Sequence, residues 1–130
     1  MNLVDSVIGH EGFRSRPYQD HLGNWTFGHG LTWISPDESR RIVSERLLNN
    51  EGQLLDEKPW LAICPGAFFD VVIEMSFQMG VSGVLNFERM FEAAADEDHA
   101  KAADEMTNSL WARQTPERAK ELSDIVRGLA

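Results

Sequence analysis

The sequence predicts an α+β fold: a small N-terminal β-hairpin lobe and a larger helical lobe, joined by a long helix, with a cleft between. Three observations predict it. Residues 14–32 lack helical period and set Pro17, Gly23, Gly28 and Gly30 among the strand-prone Tyr18, Trp25, Thr26 and Phe27. A capped helix start stands at "SPDE", 35–38, and helical periodicity governs most of the chain from Pro65 onward. With 130 residues, a single domain over 1–130 is expected. Its hairpin lobe is 12–34, its helical lobe 1–11 and 57–130, and its connecting helix 36–56. Clefts between such lobes are where ligands bind.

Each element has its own signal. Leu3, Val4, Val7 and Ile8 recur at helical spacing before Gly12, a C′ residue, which predicts a short first helix. The hairpin turns at "HLGN". Ser35 supplies an N-cap, Pro36 the first helical position and Glu38 the capping-box acid. Ile42, Val43, Leu47, Leu48, Leu54 and Leu55 carry that helix to about residue 56. "DEKPWLAICPG" reads as a connector with a brief helix. Beyond it, helical sequence is broken at "MGVSG" 79–83, near "ADED" 95–98, and at "RQTP" 113–116, where Thr115 and Pro116 repeat the cap signal. The last helix sets Ala119, Leu122, Val126 and Leu129 on one face.

Composition narrows the function classes. Twelve basic against 21 acidic residues give a net charge of −9, and the acidity lies mainly beyond residue 50. Binding to nucleic acid or to anionic lipid is disfavoured on that balance. The "DED" run at 96–98 reads as a solvated helix face. No run of some 20 apolar residues is apparent, and the start lacks a basic and apolar leader, so neither stable membrane insertion nor self-directed export is expected. The lone Cys64, in an apolar connector, reads as an inert buried thiol. "HEG" lacks the second histidine of a helical zinc motif, and His10, His21, His29 and His99 form no ligand spacing, so no metal or cofactor is expected.

The chemistry concentrates in "HEGFRSRPYQDHLGNWTFGHG", residues 10–30. Glu11 follows Val7 by four residues and Ile8 by three, so it projects from the apolar face of the first helix, near the negative end of the helix dipole. Both placements favour the protonated form that a general acid requires. A hairpin loop of three residues (Leu22–Asn24, with Asn24 in the left-handed region) or of five (His21–Trp25) puts Asp20 opposite Thr26. A two-residue loop separates them onto opposite faces. On one face, a carboxylate and a hydroxyl can hold one water, and an acid across from a held water is the inverting arrangement of glycoside hydrolysis. A retaining reaction would instead use Asp20 as nucleophile.

These residues resemble the signature of the phage-type lysozymes, the endolysins of glycoside hydrolase family 24. A Glu, eight residues, an Asp, five residues and a Thr are set within "EG", "PYQD" and "G-W-T-x-G-x-G". "SFQMGVSGVLNFERM" and "LWARQTPERAKEL" are similar to its C-terminal helices, and the likeness covers about residues 1–48 and 66–125. It implies a lysozyme-like fold and muramidase activity, hydrolysing with inversion the β-1,4 bond between N-acetylmuramic acid and N-acetylglucosamine of peptidoglycan. By the same resemblance Glu11 is the proton donor, Asp20 the base or electrostatic stabiliser, and Thr26 a seat for the water. Arg118 matches an arginine that approaches the catalytic glutamate, and its charge would oppose protonation there. Phe77 and Gln78 match substrate contacts, and Trp111 a position packed beneath them. The resemblance further implies a monomer that accumulates in the host cytoplasm until a separate holin-type protein opens the membrane.

The sequence departs from that pattern in three ways. Leu31 stands where the family commonly has a histidine, making Leu31 a candidate substrate contact, while His29 lies between the two glycines. The segment after the hairpin is short. The net charge is acidic, where endolysins are frequently basic, so steering toward the wall should be weak. Two other readings stay open: a lytic transglycosylase acting on the same bond, and a non-catalytic saccharide-binding or virion structural module.

Overall fold

The computed structural model describes residues 2–129. Among them seven α-helices, a short 3-10 turn and one two-stranded antiparallel sheet give the expected α+β class. Packing divides the chain into two units, Met1–Ile42 and Val43–Ala130.

In the first unit, α1 (Leu3–Glu11) opens on Asn2, whose side chain accepts the Asp5 N–H at 2.8 Å. It closes at Gly12, where a φ of 70° returns the Gly12 N–H to Ile8 O at 3.0 Å. Strands β1 (Arg14–Gln19) and β2 (Trp25–Gly28) pair Tyr18 with Thr26 and Gln19 with Trp25. The register shifts between Arg14 and Tyr18, a stretch that includes Pro17, which has no N–H for a ladder. Beyond β2 a second tight turn is closed by reciprocal bonds, Phe27 N–H to Leu31 O at 2.8 Å and Leu31 N–H to Phe27 O at 2.9 Å. Among the described residues of this unit, Thr26 is the buried one.

The capping box forms as expected. Glu38 N–H donates to Ser35 Oγ and Ser35 N–H to Glu38 Oε1, both at 3.1 Å, and α2 runs Pro36–Glu57. Its later turns belong to the second unit, with the Pro59–Ile63 turn, α3 (Gly66–Leu85), α4 (Glu88–Ala95), α5 (His99–Thr107), α6 (Leu110–Gln114) and α7 (Pro116–Arg127). The core gathers Leu54, Leu61, Phe68, Val72, Met75 and Val84 with Met90, Phe91, Met106, Trp111, Leu122 and Val126. Phe91 takes Phe68 and Trp60 edge-on, at centroid distances of 6.5 and 6.3 Å. A partly buried polar tie joins α2 to α3: Asn50 Nδ2 donates to Ser76 Oγ at 3.1 Å, and Ser76 Oγ donates to Ile73 O at 2.6 Å.

Several expectations change here. α3 is long and apolar enough to cross a bilayer by length and composition, contrary to the sequence reading. Phe68, Val71, Val72, Met75, Ser76 and Val84 explain its character, because they are buried in this unit's core. The break expected at 79–83 is confined to Gly80 (φ 82°, ψ 160°), a conformation open to glycine. Further breaks fall at Asn86–Phe87 and Asn108–Ser109. The "DED" run forms a turn rather than a helix face: Asp96 ends α4, Glu97 adopts φ 60°, and the Asp98 side chain caps α5 by accepting Lys101 N–H at 3.1 Å. Thr115 precedes Pro116 at the start of α7, yet its hydroxyl donates backward to Trp111 O at 3.0 Å instead of capping.

Phe68 is fully buried and holds Phe91 edge-on. Truncation removes both its transfer free energy and its contacts, so Phe68→Ala should cost about 3–5 kcal/mol, read as a lowered midpoint in urea unfolding followed by helical circular dichroism.

Candidate active site

Three candidate residues, Glu11, Asp20 and Thr26, lie within the first unit together with Leu31. The turn between β1 and β2 sets their relation. Asp20 N–H donates to Asn24 O at 2.9 Å and Gly23 N–H to Asp20 O at 3.0 Å, leaving His21, Leu22 and Gly23 as a three-residue loop. Gly23 takes the left-handed conformation at φ 83°, where Asn24 was expected to. Glycine adopts that region without a Cβ penalty, so the loop moves one residue toward the N-terminus and the register slips by two. Asp20 therefore faces Asn24, and Thr26 faces Tyr18, instead of the two facing each other. A slip of two preserves strand alternation, so they share a face as diagonal neighbours.

What joins them is the backbone of Asn24. Asp20 Oδ1 accepts the N–H of Asn24 at 2.8 Å and that of Leu22 at 2.9 Å, an Asx-type turn. Thr26 Oγ1 donates to Asn24 O at 3.1 Å. The hydroxyl has thus committed its only proton and keeps lone pairs for accepting. The Asn24 N–H, first among the causes, holds the Asp20 carboxyl below its ordinary 3.8 despite an opposing desolvation effect; the Leu22 N–H, the His21 charge and the Asn24 side chain act in the same direction as the Asn24 N–H. Asp20 is thereby suited to remain an anionic acceptor.

Glu11 ends α1 beside the second tight turn. A Cβ built on Gly30 (φ 74°) would clash with Glu11 Oε2 and lie 2.7 Å from its Cδ, so the carboxyl occupies the space a side chain at residue 30 would need. The desolvation expected for Glu11 is absent within this unit. Its side chain is exposed, because α1 buries none of its residues. Leu31, in the bridge to Phe27, is half exposed.

The second unit carries Phe77, Gln78 and Arg118. Phe77 is exposed and lines a shallow depression of about 470 Å³ with Arg46, Asn49, Asn50, Gln53 and Ser76. Gln78 Oε1 accepts the indole N–H of Trp111 at 2.9 Å, which orients the amide while Trp111 itself lies in the core. Arg118 Nε pairs with Glu74 Oε2 at 3.0 Å, a partly exposed contact. Sequence reasoning missed Asn24, Gly30 and His29 as organising residues. In the sequence Gly28 and Gly30 mark a non-helical stretch but neither the second tight turn nor what it touches.

No family model matches the chain. It is 40% identical over 55 residues, 42% of its length, to a protein of Dictyostelium discoideum named probable T4-type lysozyme 1. To probable T4-type lysozyme 2 of the same organism it is 37% identical over 51 residues, 39% of its length. Over 123 residues, 85% of its length, it is 28% identical to the peptidoglycan hydrolase gp36 of Pseudomonas phage phiKMV. The matches span 32%, 30% and 13% of those proteins' own lengths, about a third or less in each case. The resemblance to phage-type lysozymes is borne out by these similarities to proteins named T4-type lysozyme and phage peptidoglycan hydrolase.

Proposed function

We propose that the chain is a peptidoglycan muramidase that hydrolyses the β-1,4 bond between N-acetylmuramic acid and N-acetylglucosamine with inversion. The observation that carries this reading is the shared tie of Asp20 and Thr26 to Asn24, in a unit that also holds Glu11, together with likeness to proteins named lysozyme and peptidoglycan hydrolase.

Glu11 donates its proton to the glycosidic oxygen as the bond to the anomeric carbon breaks. One water lies against the Asp20 carboxylate and the Thr26 hydroxyl, both of which accept, so its two protons point at the protein and a lone pair remains for attack. Its attack on the opposite face of the ring inverts the anomeric configuration. Asp20 takes the released proton and gives it up to solvent, from which Glu11 recovers one. On this reading Phe77 and Gln78 offer an aromatic face and an amide to saccharide. The chain is further proposed to act as a monomer, held in the host cytoplasm until a separate membrane-opening protein releases it to the wall. A non-catalytic reading has one observation in its favour: an aspartate that closes an Asx turn has a structural occupation already.

Glu11→Gln should lower lysis of outer-membrane-permeabilised bacteria, followed by turbidity, by roughly 10²–10⁴-fold, the range for a lost general acid, with the circular dichroism spectrum unchanged. Equal lysis by both proteins would sink the assignment. Reducing ends released by the wild type should appear first as the α anomer by proton NMR. Muropeptides lighter by one water would mark a transglycosylase instead.

Asp20 separates structure from chemistry. An Asn side chain at 20 still presents an oxygen to the Leu22 and Asn24 N–H groups, so Asp20→Asn should keep the hairpin and lose lysis by orders of magnitude. Asp20→Ala should lose both, seen as faster amide exchange at Leu22 and Asn24. Because the folded Asp20 value is depressed, its stabilising effect is complete above the unfolded value near 3.8 and fades as pH falls through the lower folded value. That acid-range loss of hairpin protection should be absent in Asp20→Asn.

A further inference from the structure

The turn at residues 28–30 meets the end of α1 through two consecutive residues. His29 Nδ1 lies 2.9 Å from Gly12 O. A carbonyl oxygen only accepts, so the Nδ1 atom carries the proton in that contact. The Phe13 ring stands 5.1 Å from the imidazole, tilted by 46°, and limits how the ring can swing. The next residue, Gly30, lies against the carboxyl of Glu11, the residue before Gly12. Both halves of this junction are locally fixed. Gly12 is bound to Ile8 O as the C′ residue of α1, and the turn is closed by the Phe27–Leu31 pair.

From this juxtaposition we infer that His29 is a positioning residue for Glu11: its Nδ1–H bond to Gly12 O holds the end of α1 against the 28–31 turn and fixes the Glu11 carboxyl over Gly30. The inference rests on the reading of Glu11 as proton donor. Gly12 O sits at a helix terminus, where carbonyls have no intrahelical donor, so an outside donor has an open acceptor to take. Without it, the Glu11 side chain keeps its chemistry and loses the reference that aims it. Proton transfer tolerates little misplacement, and about an ångström can cost 10²-fold in rate. Substrate binding does not pass through this bond, so the effect belongs in kcat and not in KM.

The test uses the full chain acting on soluble peptidoglycan fragments. His29→Leu, which keeps apolar bulk against Phe13 and lacks a donor, should lower kcat by about 10–100-fold with KM changed less than about twofold and the thermal midpoint near wild type. In His29→Asn the amide nitrogen takes the place of Nδ1, and kcat should recover to within a few-fold of wild type. Long-range proton–nitrogen NMR of the wild type should find the neutral ring of His29 protonated on Nδ1. A neutral ring protonated on Nε2 overturns the inference, as does a His29→Leu enzyme with wild-type kcat or a His29→Asn enzyme no better than His29→Leu. If Glu11→Gln keeps wild-type activity, the reading of Glu11 falls and takes the inference with it, whereas an inactive Glu11→Gln beside an unaffected His29→Leu overturns the inference alone.

Discussion

The Glu11 carboxyl lies in the space that a side chain at residue 30 would take. A Cβ there would clash with the carboxyl end of the Glu11 side chain, which would have to move aside, and the backbone at 30 is in the left-handed region that side chains avoid. Gly30 thus serves the second tight turn through its φ and leaves room for the tip of the Glu11 side chain at the end of α1. The rest of the junction follows. Gly12 turns the chain out of α1, the 28–30 segment folds back through the Phe27–Leu31 pair, and His29 reaches the Gly12 carbonyl.

The hairpin reuses a structural device in the same economical way. An aspartate at the start of a three-residue loop closes it by accepting two backbone N–H bonds, and those same bonds favour its anionic form. Thr26, two residues past the Asn24 that Asp20 grips, gives its proton to that residue's carbonyl. Loop closure therefore leaves a negative acceptor and a neutral acceptor tied to one peptide unit. Asp20 and Thr26 need not face each other across the ladder for this to hold.

What could be read from the sequence depended on how local the deciding interaction is. Ser35 and Glu38 satisfy each other across three residues, so the start of α2 was legible, as was Gly12 at the end of α1; a break within 79–83 was legible too, but not its confinement to Gly80. The register of the hairpin was not, because Gly23 and Asn24 both suit a left-handed position and only the competition between them decides the pairing. Thr115 shows the same ambiguity, since a hydroxyl beside a helix start can bond forward as a cap or backward to the preceding turn. The His29 contact spans 17 residues and joins a side chain to a carbonyl, which leaves no periodic trace. An apolar helical face indicates burial only when something covers it, and within the first unit nothing covers that face of α1.

The two units also differ in what holds them. The second has a core of aromatic, aliphatic and methionine side chains, while among the described residues of the first Thr26 is the buried one. Heat-capacity increments and denaturant slopes scale with the surface newly wetted on unfolding. Taken by itself, the unit of residues 43–130 therefore gives the larger calorimetric and urea signal, and melting of the segment bearing Glu11, Asp20 and Thr26, taken by itself, adds little to either.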